Sequence, residues 1–197
     1  MMSARRLQPA DLLSLERYHL EREDFRRRVM AHKTVRQVFL GPHVSLTFED
    51  TLTIQYQVQE MLRIERVFES AGIQEELDAY GALLPDGDNW KATMMIEYEE
   101  AEERRIALEA LVDVEQRVWL QVGTLPPLFG IADEDLDRRR EGKTSAVHFL
   151  RFQLDAAQVT EAKAGAAIAM GIDHPAYYTS IQTLPSAIRE SLIGDLA

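Results

Sequence analysis

Residues 92 to 170 constrain the fold more than any other part of the chain, because the apolar period changes there in a fixed order. Ala92 to Tyr98 reads as a strand, and Glu99 to Leu111 as a charged amphipathic helix. Val114 to Val122 alternates. Val114, Val118, Leu120 and Val122 fall on one face, and Glu115, Arg117, Trp119 and Gln121 on the other. A long connection follows from Gly123 to Thr144, with Pro126-Pro127, a charged run and Gly142. Ser145 to Gln153 predicts a strand, Asp155 caps a helix to about Lys163, and Ala166 to Met170 predicts a last short strand. Strand, helix, strand, strand, helix, strand is the split βαβ order. The expected fold class is therefore α+β, with a ferredoxin-like βαββαβ sheet over about residues 92–170. Its first and third strands would lie centrally. Here they are the MMI and VHFL segments, the more apolar pair.

The residues before this sheet predict a long helix, a hairpin and a second helix. Pro9 and Asp11 suit a helix start, and Leu15, Tyr18, Arg22, Phe25 and Val29 step by three and four along one stripe to about Ala31. Val35 to Leu40 and Val44 to Phe48 flank Gly41-Pro42-His43 as a hairpin, and Thr51 to Ile54 reads as a third strand. A short helix from Gln74 to about Leu83 precedes Pro85-Asp86-Gly87-Asp88-Asn89, the strongest turn cluster in the chain. That cluster separates an N-terminal unit, 1–84, from a second unit, 90–197, within one compact domain. The tail carries His174-Pro175, Tyr177-Tyr178 and a helix from about Pro185 to Leu196.

Within the first unit, at the seam between its helix and hairpin and the sheet that follows, the helix Gln55–Phe68 breaks its own pattern. Val58, Met61, Leu62, Ile64 and Phe68 share one broad side. Glu65 falls inside that apolar arc, Gln57 sits at its edge, and Glu60 and Arg63 can pair on the flank. A carboxylate aimed at a core must be paired, protonated or used. Glu65 is thus a buried partner of an arginine, with Arg22 the first candidate, or the wall of a pocket.

Charge and composition exclude several functions. The net charge of −11 argues against nucleic acid and anionic membrane as partners, since both want a basic surface. Residues 1–40 hold nine Lys+Arg against five Asp+Glu, and the remainder thirteen against twenty-eight. A basic first helix packed on an acidic body accounts for that asymmetry. The chain has no cysteine, which removes disulfides, thiolate catalysis and Cys-ligated zinc or iron–sulfur centres. MMSARRLQPADLL turns polar at once, so no leader is expected and the protein should be cytoplasmic.

Motifs for chemistry are sparse. No GxGxxG, GxxxxGK[ST] or GxSxG is present. Glu16 and His19 have the Glu-x-x-His spacing of di-iron bundles, but the second such pair is missing, so no metal site is expected. His148 shares a strand face with Ala146, Leu150 and Phe152, as a hydrogen-bonded core histidine would. His174, before Pro175 and two tyrosines, sits where an irregular segment often carries a site.

Taken in order, QVQEMLRIER, a short helix ending in LLP, MMIEYE, SAVHFLRF and GIDHPAYY resemble a bacterial family of unknown function, and the resemblance covers nearly the whole chain. In that family the genes neighbour those of rubrerythrin-like proteins and heterodisulfide-reductase-type iron–sulfur oxidoreductases. The resemblance implies a role beside a redox or oxidative-stress system and implies no reaction. Its motifs coincide with Gln57, Gln59, Glu60, Arg63, Glu65, His148, Arg151, His174 and Pro175. The family pattern admits Gln at the position of His148, which implies that no histidine ligand is required there.

The expectation is an accessory or binding protein of a redox operon, with no resident cofactor. Its candidate binding residues are Gln57, Glu60, Arg63, Glu65, His148, Arg151 and His174. The partner would be a rubrerythrin-like or iron–sulfur oxidoreductase protein, or a small ligand held near the Gln57–Glu65 helix, and edge strands of such a sheet would suit a homodimer. The competing expectation is an enzyme, or a haem- or metal-binding protein, with a cofactor held on the sheet through His148 or His174.

Overall fold

The computed structural model describes residues 6–134 and 142–197. Most of the charged run expected between Gly123 and Thr144 thus lies outside the described residues. Pro9–Asp11 forms a separate 3-10 turn, and Ser14 then caps α1, Leu15–Lys33, by accepting from the Arg17 N–H. The stripe on α1 holds. Tyr18, Phe25 and Val29 are buried, with Arg22 half-buried among them.

β1, Gln37–Leu40, and β2, Val44–Phe48, form the expected hairpin. Its tip needs glycine. Gly41 takes φ of +72°, and a Cβ there would stand 2.6 Å from the Tyr177 hydroxyl oxygen. That hydroxyl donates to the Leu40 carbonyl at 2.8 Å and accepts from the His43 N–H at 3.1 Å, which ties the hairpin to the C-terminal third of the chain.

Thr51–Ile54 is helix, not the third strand expected. Asp50 accepts from the Leu52 and Thr53 N–H groups, and the Thr53 hydroxyl accepts in return from the Asp50 N–H. This reciprocal cap starts α2, Thr51–Glu65, and outweighs the strand propensity of its β-branched first turn. Arg66, left-handed at φ 56°, ends α2. α3, Ser70–Gly81, follows, and the turn at residues 85–89 leads into β3, Asn89–Ile96. Then come α4, Ala101–Ala110, a 3-10 turn at Val114–Arg117, and β4, Val118–Val122. The first half of the expected strand Val114–Val122 is therefore a turn. β5, Leu128–Phe129, and β6, Ile131–Ala132, are two-residue strands. β7, Val147–Gln153, α5, Ala156–Lys163, β8, Ile168–His174, β9, Tyr177–Ile181, and α6, Ser186–Ile193, complete the chain.

The sheet topology differs from the ferredoxin-like one. Two antiparallel sheets form, in the orders β1-β2-β3-β7-β6 and β5-β4-β8-β9. β3 and β7 are antiparallel neighbours, as the MMI and VHFL segments would be in the ferredoxin-like order. β4 and β8 lie in the other sheet, so α4 and α5 carry the chain between sheets. The physical reason lies in what the helices bury. A ferredoxin-like sheet needs a helix layer on one face, and α4 has no fully buried residue. The strands instead cover each other. Phe48, Trp90, Met94 and Phe152 of the first sheet share one core with Leu120, Met170 and Ile172 of the second and with Ile188 and Leu192 of α6. Trp90 is fully buried and satisfies its indole N–H on the Leu192 carbonyl at 2.8 Å.

The helices α1, α2 and α3 pack on one another through smaller apolar clusters. One holds Ile54, Val58, Leu62, Leu77 and Leu84, another Tyr18, Phe25 and Val29. Arg36, 1% exposed, fastens this region to α6. It donates to the Phe48 and Glu49 carbonyls at 2.8 and 3.1 Å, to the Ser191 hydroxyl at 3.1 Å and to Asp195 at 2.5 Å. Among the described residues, no helix is long and apolar enough to cross a membrane.

Candidate functional site

A cleft of about 790 Å³ opens on the outer face of the first sheet. Its floor comes from β3, β6 and β7, and its wall from the end of α3 and the turn into β3. The register explains the floor. Lys91 on β3 pairs with Arg151 on β7, and Arg151 with Ile131 on β6, so these side chains share one row on the outer face. Phe149 and Gln153 stand beside that row, with Tyr80 and Leu83 above it. The two cations are thus set side by side among largely apolar neighbours.

Each cation is held by a carboxylate from a flanking loop. Lys91 lies 2.9 Å from Asp86 and donates to the Ala82 carbonyl at 3.0 Å. Arg151 donates twice to Glu134, both bonds 2.8 Å, and its Nη1 donates to Gln153 Oε1 at 2.6 Å. The Lys91 and Arg151 side chains are 14% and 24% exposed, whereas Asp86 and Glu134 are 62% and 50% exposed. Partial burial opposes charge on Asp86, but its bonds from Lys91 and Asn89 outweigh that and hold its carboxyl below the usual range. The Arg151 bonds likewise hold Glu134 low, and Arg151 is raised in return.

The sequence-based candidates scatter over four places. Only Arg151 is in the cleft. On α2, Glu60 receives Arg22 Nε and Nη2, each at 2.8 Å, the Tyr18 hydroxyl at 2.6 Å and Arg63 Nη2 at 3.2 Å. The Arg22 bond above all brings the Glu60 pKa down to about 2, and burial together with Glu60 pushes the Tyr18 phenol up. Arg22 does pair with this helix, but through Glu60. Glu65 is exposed and neither a buried ion-pair member nor a residue of the cleft, because α2 ends on it and the arc that was to enclose it stops short. Gln57 is exposed as well, and Gln59 is the buried amide, fixed to the Leu13 N–H at 2.6 Å.

Both candidate histidines are hydrogen-bonded within the fold. His148 points inward and is fully buried. Its Nδ1 lies 2.6 Å from Asp133, and its Nε2 lies 2.9 Å from the Thr144 hydroxyl and 3.0 Å from the Ser145 carbonyl. His174 is the last residue of β8 and not part of an irregular segment. Its Nε2 bonds the Val112 carbonyl at 3.0 Å, and its Nδ1 accepts the Ala176 N–H at 3.1 Å, which fastens the turn into β9. A metal or haem iron at either imidazole would have to displace these bonds. Among the described residues, no group of three or more His, Asp or Glu side chains is placed to hold a metal ion. Trp119 is half-buried, paired across the strands with Gly171, whose missing side chain leaves room for the indole.

Sequence reasoning missed Lys91, Asp86, Asn89 and Glu134. The signal was present for Lys91, a basic residue between Trp90 and Ala92 on an alternating segment. Starting the strand at Ala92 left it out by one position.

A family described as a protein of unknown function, DUF3501, matches residues 6–196. The chain belongs to the DUF3501 family. This DUF3501 chain is also similar to a novel protein of unknown function from Burkholderia pseudomallei K96243, known from a crystal structure. The two are 49% identical, the match covers 98% of this chain and 100% of the other, and the TM-score is 0.94. No curated protein matches the DUF3501 chain.

Proposed function

We propose that the chain is a cytoplasmic accessory protein that binds a small ligand in service of a neighbouring redox system and holds no redox centre of its own. The cleft carries this reading. It is concave, mostly apolar and furnished with a few converging polar groups, as ligand sites are. The polar groups of the α1–α2 contact and of the two histidines are instead spent on holding the chain together. The redox setting rests on the resemblance in gene neighbourhood, and the expected partner is a rubrerythrin-like or iron–sulfur oxidoreductase protein.

The test uses protein purified from its host under reducing conditions. Native mass spectrometry should find a noncovalent small molecule that is lost in Ala79→Trp, a change at an exposed cleft-lining position of α3. Visible spectroscopy and metal analysis should find a colourless, metal-free protein. A stoichiometric metal or a Soret band would overturn the reading in favour of a cofactor protein.

A further inference from the structure

We infer that the cleft takes a small carboxylate with a flat apolar body, and that Glu134 occupies the place of the ligand's carboxylate until it arrives. The inference rests on reading the cleft as the binding site. Its basis is the unequal way in which the two cations are held. The Lys91 pair is built into the turn. Asp86 accepts from Asn89 Nδ2 at 3.0 Å while its own N–H donates to Asn89 Oδ1 at 3.0 Å, so Asp86 is locked beside Lys91. The Arg151 pair is not built in the same way. Glu134 meets Arg151 through its carboxylate, and its side chain is half exposed. An exposed carboxylate released to water is rehydrated at little cost.

Arg151 would stay in place through the exchange. Its Nη1 bond to Gln153 Oε1, 2.6 Å long, fixes the guanidinium independently of Glu134, and Gln153 is itself tied to the Asp88 carbonyl at 3.2 Å. Nε and Nη2 then offer a two-point fork to an incoming carboxylate, with the Lys91 ammonium in the adjacent strand position. The apolar body has Phe149 and Ile131 beneath it and Leu83 beside it. The remaining acidic group, Asp88, is exposed on the rim and accepts from Asn89 Nδ2 at 3.1 Å. It defines the competing preference, for an amine.

Three isosteric probes separate these preferences: 2-naphthoate, 2-naphthamide and 2-naphthylmethylamine, titrated into isotope-labelled protein and followed by NMR. Naphthoate should shift the amide signals of Lys91, Phe149, Arg151 and Gln153 and bind about tenfold or more tightly than naphthamide, the ratio worth one charge-assisted bond. Glu134→Gln should tighten naphthoate several-fold and leave naphthamide unchanged, because it weakens the competitor without touching the floor. Arg151→Gln should abolish the difference between the two probes. Equal binding of amide and carboxylate, or preference for the amine, overturns the inference and leaves the cleft as a binding site. Absence of any shift in the cleft overturns both.

Discussion

Arg22 on α1 donates from Nε and Nη2 to separate oxygens of Glu60 on α2, each at 2.8 Å. This two-point pair, with the Tyr18 hydroxyl on the same carboxylate at 2.6 Å, is the polar centre of the contact between the two helices. The carboxylate answers two charged groups and one phenol, so its removal should be felt by both helices.

Glu60→Gln should therefore destabilise the protein by about 1–2 kcal/mol at neutral pH, the range for a partly exposed, charge-assisted network. The folded pKa is depressed from the ordinary 4.5 to about 2, chiefly by the Arg22 bonds. The contribution is thus present above pH 4.5 and is lost as pH falls through about 2. Urea melts of the two proteins should converge between those values. A gap that stays constant through the acid range would show that the carboxylate's charge is not what stabilises the contact.

Arg36→Met should cost about 3–5 kcal/mol, because it strands the largely buried Asp195 carboxylate and leaves two carbonyls without their donor. Burial already raises the Asp195 pKa, with Arg36 opposing it. Loss of Arg36 raises it further, and a raised carboxylate favours the folded state only below its pKa. The deficit of the variant should be largest near neutrality and should shrink on acidification, as thermal melts across a pH series would reveal.

Gly171→Ala would place a Cβ 2.6 Å from both the Thr179 carbonyl oxygen and the Trp119 ring. Both contacts must be relieved, the backbone of β9 on one side and the indole on the other. A loss of about 1–3 kcal/mol follows from such overpacking, together with a shift in Trp119 fluorescence. Unchanged fluorescence with full stability would contradict the contact.

His148→Ala removes one hydrogen-bond partner each of Asp133 and Thr144 in a fully buried position and should cost about 3 kcal/mol or more. His148→Gln keeps a donor and an acceptor there and should cost less than half as much. Equal melting temperatures for the two variants would mean that volume, not hydrogen bonding, sets the requirement at this position.

Much of the local structure was legible because it depends on near neighbours. The α1 stripe, the Gly41 hairpin, the Asp155 cap and the inward face of β7 with His148 follow from spacing and side-chain chemistry within a few residues. Asp50 shows where that reading fell short. Its cap converts a β-branched run into the first turn of α2, and the cue was one residue outside the segment read as a strand.

What the sequence determined by itself is which residues want burial and which short elements they form. Only the tertiary structure decided how those elements combine. An alternating strand presents the same apolar face whether a helix layer or a second sheet covers it, so the ferredoxin-like order and the observed pair of sheets were equivalent at the level of pattern. The choice of Glu60 over Glu65 as the partner of Arg22 depended on where α2 stops. The meeting of Lys91 and Arg151 depended on the register of two strands sixty positions apart. Such contacts have no local signature, because the free energy that fixes them comes from burying one core between the two sheets, far from the side chains left standing on the cleft floor.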